Sequence, residues 1–100
     1  MPLFSLDELK SALDIVRPFV LETPSINWPL LSQTVGVDVV VKHENHTPAG
    51  AFKIRGGLVY MEELMQQATA SGAMPNGVVA ATRGNHGQSV AFAASRHNLP

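Results

Sequence analysis

Two short segments carry the reactive side chains of this chain. Phe52-Lys53-Ile54-Arg55-Gly56-Gly57 sets a lysine between apolar neighbours, and Thr82-Arg83-Gly84-Asn85-His86-Gly87-Gln88 follows about thirty residues later. An apolar setting disfavours the charged form of a lysine, which makes the amine a usable nucleophile toward a carbonyl carbon. That is Schiff-base chemistry. Each segment also marks a helix start, where outward-pointing backbone N–H groups can hold an anion. The pair reads as a small-molecule site. The plainer reading of Lys53 alone is a solvated lysine early in a helix, since short motifs often match by chance; the second segment favours the site.

The elements that must position these segments are legible in outline. Ser5 and Glu8 form a capping-box pattern, with Phe4 and Leu9 as the matching staple. Leu9, Ala12, Leu13 and Val16 then line one helical face until Arg17-Pro18 stops it. Residues Thr23 to Ser32, with prolines at 24 and 29, read as extended or turning, and Trp28 within them as a packing anchor. Val37 to Lys42 is β-branched and reads as a strand. A helix is expected from near Phe52 to Ser71-Gly72, burying Leu58, Met61, Leu64, Met65 and Ala68. Val78-Val79-Ala80-Ala81 reads as a second strand and Gln88 to Arg96 as the next helix, closing at His97-Asn98-Leu99-Pro100. Two strand-loop-helix units predict an α/β fold with a parallel sheet and both candidate loops at the carboxyl ends of its strands.

The segment from Lys42 through His43-Glu44-Asn45-His46-Thr47-Pro48-Ala49-Gly50-Ala51-Phe52-Lys53 to Gly56 resembles the cofactor-lysine segment of fold-type II pyridoxal-phosphate enzymes, the serine/threonine dehydratase (threonine ammonia-lyase) group. Gly84-Asn85-His86-Gly87-Gln88 resembles that group's substrate-binding loop, and Thr23-Pro24, Leu31-Ser32 and Gly36 its opening pattern. The resemblance implies the tryptophan-synthase-β-like fold, with residues 1–100 as an N-terminal portion of an enzyme about three times longer and two domains in all. It implies pyridoxal 5'-phosphate as cofactor. Lys53 would be the imine lysine and the base for the α-proton, Asn85 the partner of the ring hydroxyl, and Phe52 a neighbour of the cofactor. Thr82, Arg83, Gly84, Asn85 and His86 would receive the substrate, chiefly its α-carboxylate. For Phe52 an ordinary core position, and for His86 a hydrogen bond to backbone, stand as alternatives.

The chain departs from the family pattern at two places. Arg83 stands where a serine is usual before Gly84-Asn85, and Ala51 where a serine is usual before the Phe-Lys pair. In racemases of the family the serine at the position of Arg83 is a second acid/base. A guanidinium cannot lose its proton usefully, so racemase activity is not expected. The family's glycine-rich phosphate cradle and ring-nitrogen partner have no match in these residues, so the hundred residues by themselves are expected to be inactive.

Composition excludes other classes. A net charge of −1 with 15% charged residues offers no basic excess for nucleic acid. Cysteine is absent, so neither a disulfide framework nor a thiolate metal site arises. His43 and His46 without a supporting carboxylate or cysteine are read as loop residues and no metal is expected. The start of the chain lacks a basic region followed by an apolar stretch, and no apolar run is long enough to span a bilayer, so no membrane partner is expected and the cytoplasm is the default location. The expected activity is β-elimination of a hydroxyamino acid, threonine or serine, to a 2-oxo acid and ammonia, in a full-length homo-oligomer. Threonine synthase, another β/γ-replacement lyase of the same fold type, or a non-catalytic truncated module are the alternatives.

Overall fold

The computed structural model describes residues 1–100. In chain order it contains α1 (Leu6–Val16), β1 (Ser25–Asn27), α2 (Pro29–Val35), β2 (Val40–Lys42), a single 3-10 turn (Glu44–His46), α3 (Lys53–Ser71) and α4 (Asn85–Ser95).

The capping box of α1 forms as the sequence predicts: Ser5 Oγ accepts from Glu8 N–H at 3.2 Å, and Glu8 Oε2 accepts from Ser5 N–H at 2.6 Å. That backbone N–H, followed by the Ser5 hydroxyl, holds the Glu8 carboxyl below its ordinary range. The expected apolar face of α1 is covered at one end only. Val16 is buried, whereas Leu9 and Leu13 remain exposed.

Residues 23 to 32 do not stay extended. β1 occupies Ser25–Asn27, and Pro29 opens α2 at a position where its missing N–H costs nothing. α2 closes on Gly36 in the left-handed region, φ 83°. Trp28 is no buried anchor either; it is half exposed and its indole Nε1 donates to His43 Nε2 at 2.9 Å.

The parallel sheet that the sequence predicts is not formed within these residues. Its one sheet has two strands, β1 and β2, antiparallel, with Ile26 opposite Val41. Only the last half of the expected Val37–Lys42 strand pairs, because β1 is three residues long and supplies no more partners. Val78 to Ala81 is not a strand: its backbone reaches only Pro100, Val78 N–H to Pro100 C=O at 3.1 Å, and Val79 is fully exposed. A strand exists through its neighbour, and none lies beside this segment.

The core gathers Val16 at the end of α1 and Val20 from the turn after it, Ile54, Leu58 and Met61 from α3, and Ala93 and Ala94 from α4. On α3, Leu58, Met61 and Ala68 are buried as expected, with Ile54 added, while Leu64 and Met65 are half-buried. Eleven residues are buried in all and the radius of gyration is 16.7 Å, against about 13 Å for a compact domain of this length. The shape is therefore open, and the surface against which α3 and α4 start is accessible.

Candidate functional site

Lys53 is the first residue of α3, and four local devices fix that start. Thr47, buried, donates from Oγ1 to Ala51 C=O at 2.8 Å and accepts Ala51 N–H at 3.1 Å. Gly50 turns the chain at φ 67° between those two bonds, a conformation that glycine takes without strain. Two residues past Lys53, Arg55 reaches back to Glu44, with Nε 2.7 Å from Oε2 and Nη2 3.0 Å from Oε1. Thr23 Oγ1 donates to the same carboxylate and Lys42 Nζ stands 3.9 Å away. The Arg55 bonds hold the Glu44 carboxyl at about 2, against the partial burial that pushes it up, and Glu44 in turn raises Arg55. The fourth device is Ser89 of α4, whose Oγ donates to Lys53 C=O at 2.7 Å.

The second segment is built around Thr82. Its Oγ1 accepts from Gly84 N–H at 3.0 Å and Gly87 N–H at 2.9 Å, folding the loop onto the first turn of α4. Gly87 has to be glycine for this, because a Cβ there would lie 2.5 Å from Thr82 Cγ2. Gly84, at φ 144°, ψ −81°, is the residue before the helix. Asn85, His86 and Gly87, expected in a loop, are thus helical, and α4 begins three residues earlier than Gln88. Gly87 and Gln88 N–H groups are taken by Thr82 Oγ1 and Gly84 C=O. The N–H groups of Asn85 and His86 stay free, since the first turn of a helix has no acceptor within itself.

Helix α3 against α4, rather than a common sheet edge, brings the two segments together. Lys53 and residues 81–86 line one cavity of about 640 Å³, so Thr82, Arg83, Gly84, Asn85 and His86 all face the same space as the lysine. Lys53 and His86 also border a neighbouring, largely apolar cavity of about 660 Å³ with Phe52, Tyr60 and Val79. Phe52 lies on this apolar side and is 63% exposed, so it is not a core residue. Lys53 itself is exposed; Ile54 points into the core and Phe52 to solvent, so the apolar neighbours in sequence do not enclose the amine.

The electrostatics of the polar cavity are one-sided. Its lining holds Lys53, Arg83 and His86 and no carboxylate. Neither Lys53 nor Arg83 takes part in the ion pairs of the chain, which join Lys10 to Asp7, Lys42 and Arg55 to Glu44, and His97 to Glu62. Together with two free N–H groups at a helix start, this donor set suits an anionic ligand. An accessible amine beside an asparagine amide and anion donors fits pyridoxal phosphate, whose aldehyde, ring hydroxyl and charged substituents need such partners. His43 is committed differently: with Nε2 accepting from Trp28, that nitrogen has no lone pair left for a metal.

Sequence reading missed Ser89, Thr47 and the partner of Arg55. Ser89 carried a faint signal, a hydroxyl within the alanine-rich helix opposite an interior Gly57. Helix glycine is disfavoured unless packing requires it.

Comparison with known proteins agrees with this chemistry. The sequence pattern of the family described as pyridoxal-phosphate dependent enzyme matches residues 16–100. The chain is 33% identical over 97 residues to the biosynthetic L-threonine dehydratase of Lactococcus lactis, covering 97% of the chain and 22% of that protein. It is 40% identical over 79 residues to the mitochondrial threonine dehydratase of Schizosaccharomyces pombe, 79% of the chain and 12% of the relative. With the L-threo-3-hydroxyaspartate ammonia-lyase of Saccharomyces cerevisiae it shares 29% identity over 93 residues, 93% of the chain and 27% of the relative. The chain thus spans about a quarter or less of the length of these relatives. No helix is long and apolar enough to cross a membrane.

Proposed function

The chain belongs to the pyridoxal-phosphate dependent enzyme family, and from that membership we propose that it supplies the lysine-bearing part of a hydroxyamino-acid dehydratase. The reaction is β-elimination from L-threonine, L-serine or a related amino acid, yielding a 2-oxo acid and ammonia. The observation that supports this best is the shared cavity of Lys53 and residues 81–86, cationic and free of carboxylates. The threonine dehydratases among its relatives support the substrate class.

When bound, pyridoxal phosphate supplies an aldehyde for an amine and a sink for the electron pair left at the α-carbon. Lys53 would hold the cofactor through Nζ, and its neutral amine would accept the α-proton at the same atom. Asn85 would orient the cofactor ring through its amide. The free N–H groups of Asn85 and His86 bind the α-carboxylate, where the helix dipole favours negative charge. Thr82 keeps those N–H groups aimed by occupying their neighbours.

Borohydride reduction of the cofactor-loaded protein, followed by peptide mass spectrometry, tests the reading. The label is expected on the peptide containing Lys53; label on Lys10 or Lys42 instead overturns it. Asn85→Ala is expected to lower activity and alter the cofactor absorbance with thermal stability kept.

A second reading of the substrate is favoured by Arg83, a cation in the cavity wall without an acidic partner. A hydroxyamino acid with a second carboxylate, such as hydroxyaspartate, would complement it, in keeping with the name of the yeast relative.

A further inference from the structure

We propose that Ser89 is a positioning residue for Lys53: it fixes the start of α3 against the start of α4 and so sets where the amine stands in the cavity. The inference rests on the reading of Lys53 as the reactive amine.

Ser89 is 1% exposed and its Oγ donates to Lys53 C=O at 2.7 Å. This is the only side-chain hydrogen bond that joins α3 to α4, and it spans 36 positions of sequence. A helix carbonyl has two lone pairs; one serves the helix bond, the other takes the hydroxyl. The hydroxyl reaches it through the gap left by Gly57, where a Cβ would stand 2.1 Å from Ser89 Oγ and 3.3 Å from Ser89 C=O. An added side chain would meet Ser89 itself, so Gly57 makes room for Ser89 and not for a ligand. Ser89 lies one turn beyond Asn85, so the bond couples the backbone of Lys53 directly to the helix turn that carries the free N–H groups. Lys53 has no ion pair to hold its side chain, which leaves its main-chain anchor to determine the reach of the amine.

The test uses cofactor-free protein and trinitrobenzenesulfonate, a general amine reagent, with Lys10 and Lys42 as internal references in the same peptide map. Ser89→Ala is expected to change the labelling rate of Lys53 relative to both references at least threefold, and to shift the pH profile of Lys53 labelling alone. An unchanged ratio in folded protein overturns the proposal, as does a parallel change at all three lysines, which would report general loosening. Should Ser89→Ala not fold, Ser89→Cys keeps a side chain of the same shape with a larger terminal atom and weakens the donor; a smaller shift in the same direction is expected, and none overturns the proposal. The borohydride experiment above fails or succeeds separately, because it asks which lysine holds the cofactor and not how that lysine is placed.

Discussion

Glu44 and Arg55 meet in a two-pronged pair, Nε to Oε2 at 2.7 Å and Nη2 to Oε1 at 3.0 Å, that fastens the first turn of α3 to the exit of β2. Thr23, buried, adds its hydroxyl to the same carboxylate, so three separate stretches converge on one acid. Fork geometry of this kind gives orientation as well as energy. Arg55 therefore serves the site indirectly, by holding the helix that begins at Lys53.

The pair predicts an acid limb in stability. The Glu44 carboxyl is held at about 2, chiefly by Arg55, from an ordinary 4.5. A carboxyl depressed on folding stabilises above its unfolded value, and this contribution is lost as pH falls from about 4.5 toward about 2. Glu44→Gln is expected to lower stability by about 2 kcal/mol at neutral pH. Urea midpoints of wild type and variant should converge as the pH drops through that window. A constant difference from pH 7 to pH 2.5 would mean that Glu44 does not titrate with folding.

Gly57 and Ser89 predict a coupled pair. Gly57→Ala forces a methyl to 2.1 Å from the hydroxyl and should cost about 1–3 kcal/mol as overpacking. Ser89→Ala alone loses one hydrogen bond, about 1 kcal/mol. In the double variant the 2.1 Å clash is gone, and the new methyl meets the backbone oxygen of residue 89 at 3.3 Å and its β-carbon at 3.4 Å, a tight contact that a shift of a few tenths of an ångström relieves. The double variant should therefore be more stable than the sum of the singles by about 1 kcal/mol or more, measured as a double-mutant cycle in urea. Strict additivity would show that the two residues do not meet.

What the sequence made legible follows from where the signals are local. The capping box at Ser5 and Glu8, the stop at Arg17-Pro18 and the period of Leu58, Met61 and Ala68 are properties of single segments, and the structure has them. The parallel sheet is not local. Val78 to Ala81 has strand composition but pairs with no strand, so its pattern could not reveal its conformation. Pro29 reads in the sequence as part of an extended or turning segment, although the same ring suits the first position of α2. The meeting of Lys53 with residues 81–86 was readable as chemistry, yet its cause, the α3–α4 contact through Gly57 and Ser89, involves residues too ordinary to stand out.

Thr82 yields a prediction about the second segment. Its hydroxyl oxygen accepts two N–H groups, while its methyl packs on Gly87. Thr82→Val keeps the methyl and removes the acceptor. The amides of Gly84 and Gly87 should then exchange with deuterium about tenfold faster, equivalent to about 1.4 kcal/mol, while the core amides of α3 stay protected. Unchanged exchange at both glycines would show that the loop is held by something other than the threonine oxygen.

Arg83 leads to the last prediction, on substrate choice. It lines the cavity beside Lys53 and His86, and no acidic residue of the chain pairs with it. An uncompensated guanidinium facing a ligand site offers its fork to a planar carboxylate, a geometry that lysine or serine does not reproduce. On the proposed reading a substrate with one carboxylate would use the helix start at Asn85 and His86 and leave Arg83 idle, whereas a dicarboxylate would engage both. The added charged bond should contribute about 2 kcal/mol, which reorders substrates by more than tenfold. Arg83→Ser in the whole enzyme is therefore expected to reduce kcat/KM for hydroxyaspartate more than tenfold while leaving the values for threonine and serine within about twofold. Because the serine is small and polar and the position is exposed, loss of folding does not confound the comparison. Equal ratios among the three substrates in both proteins would remove Arg83 from substrate selection, and leave it as a cation that attracts anions to the cavity without distinguishing between them.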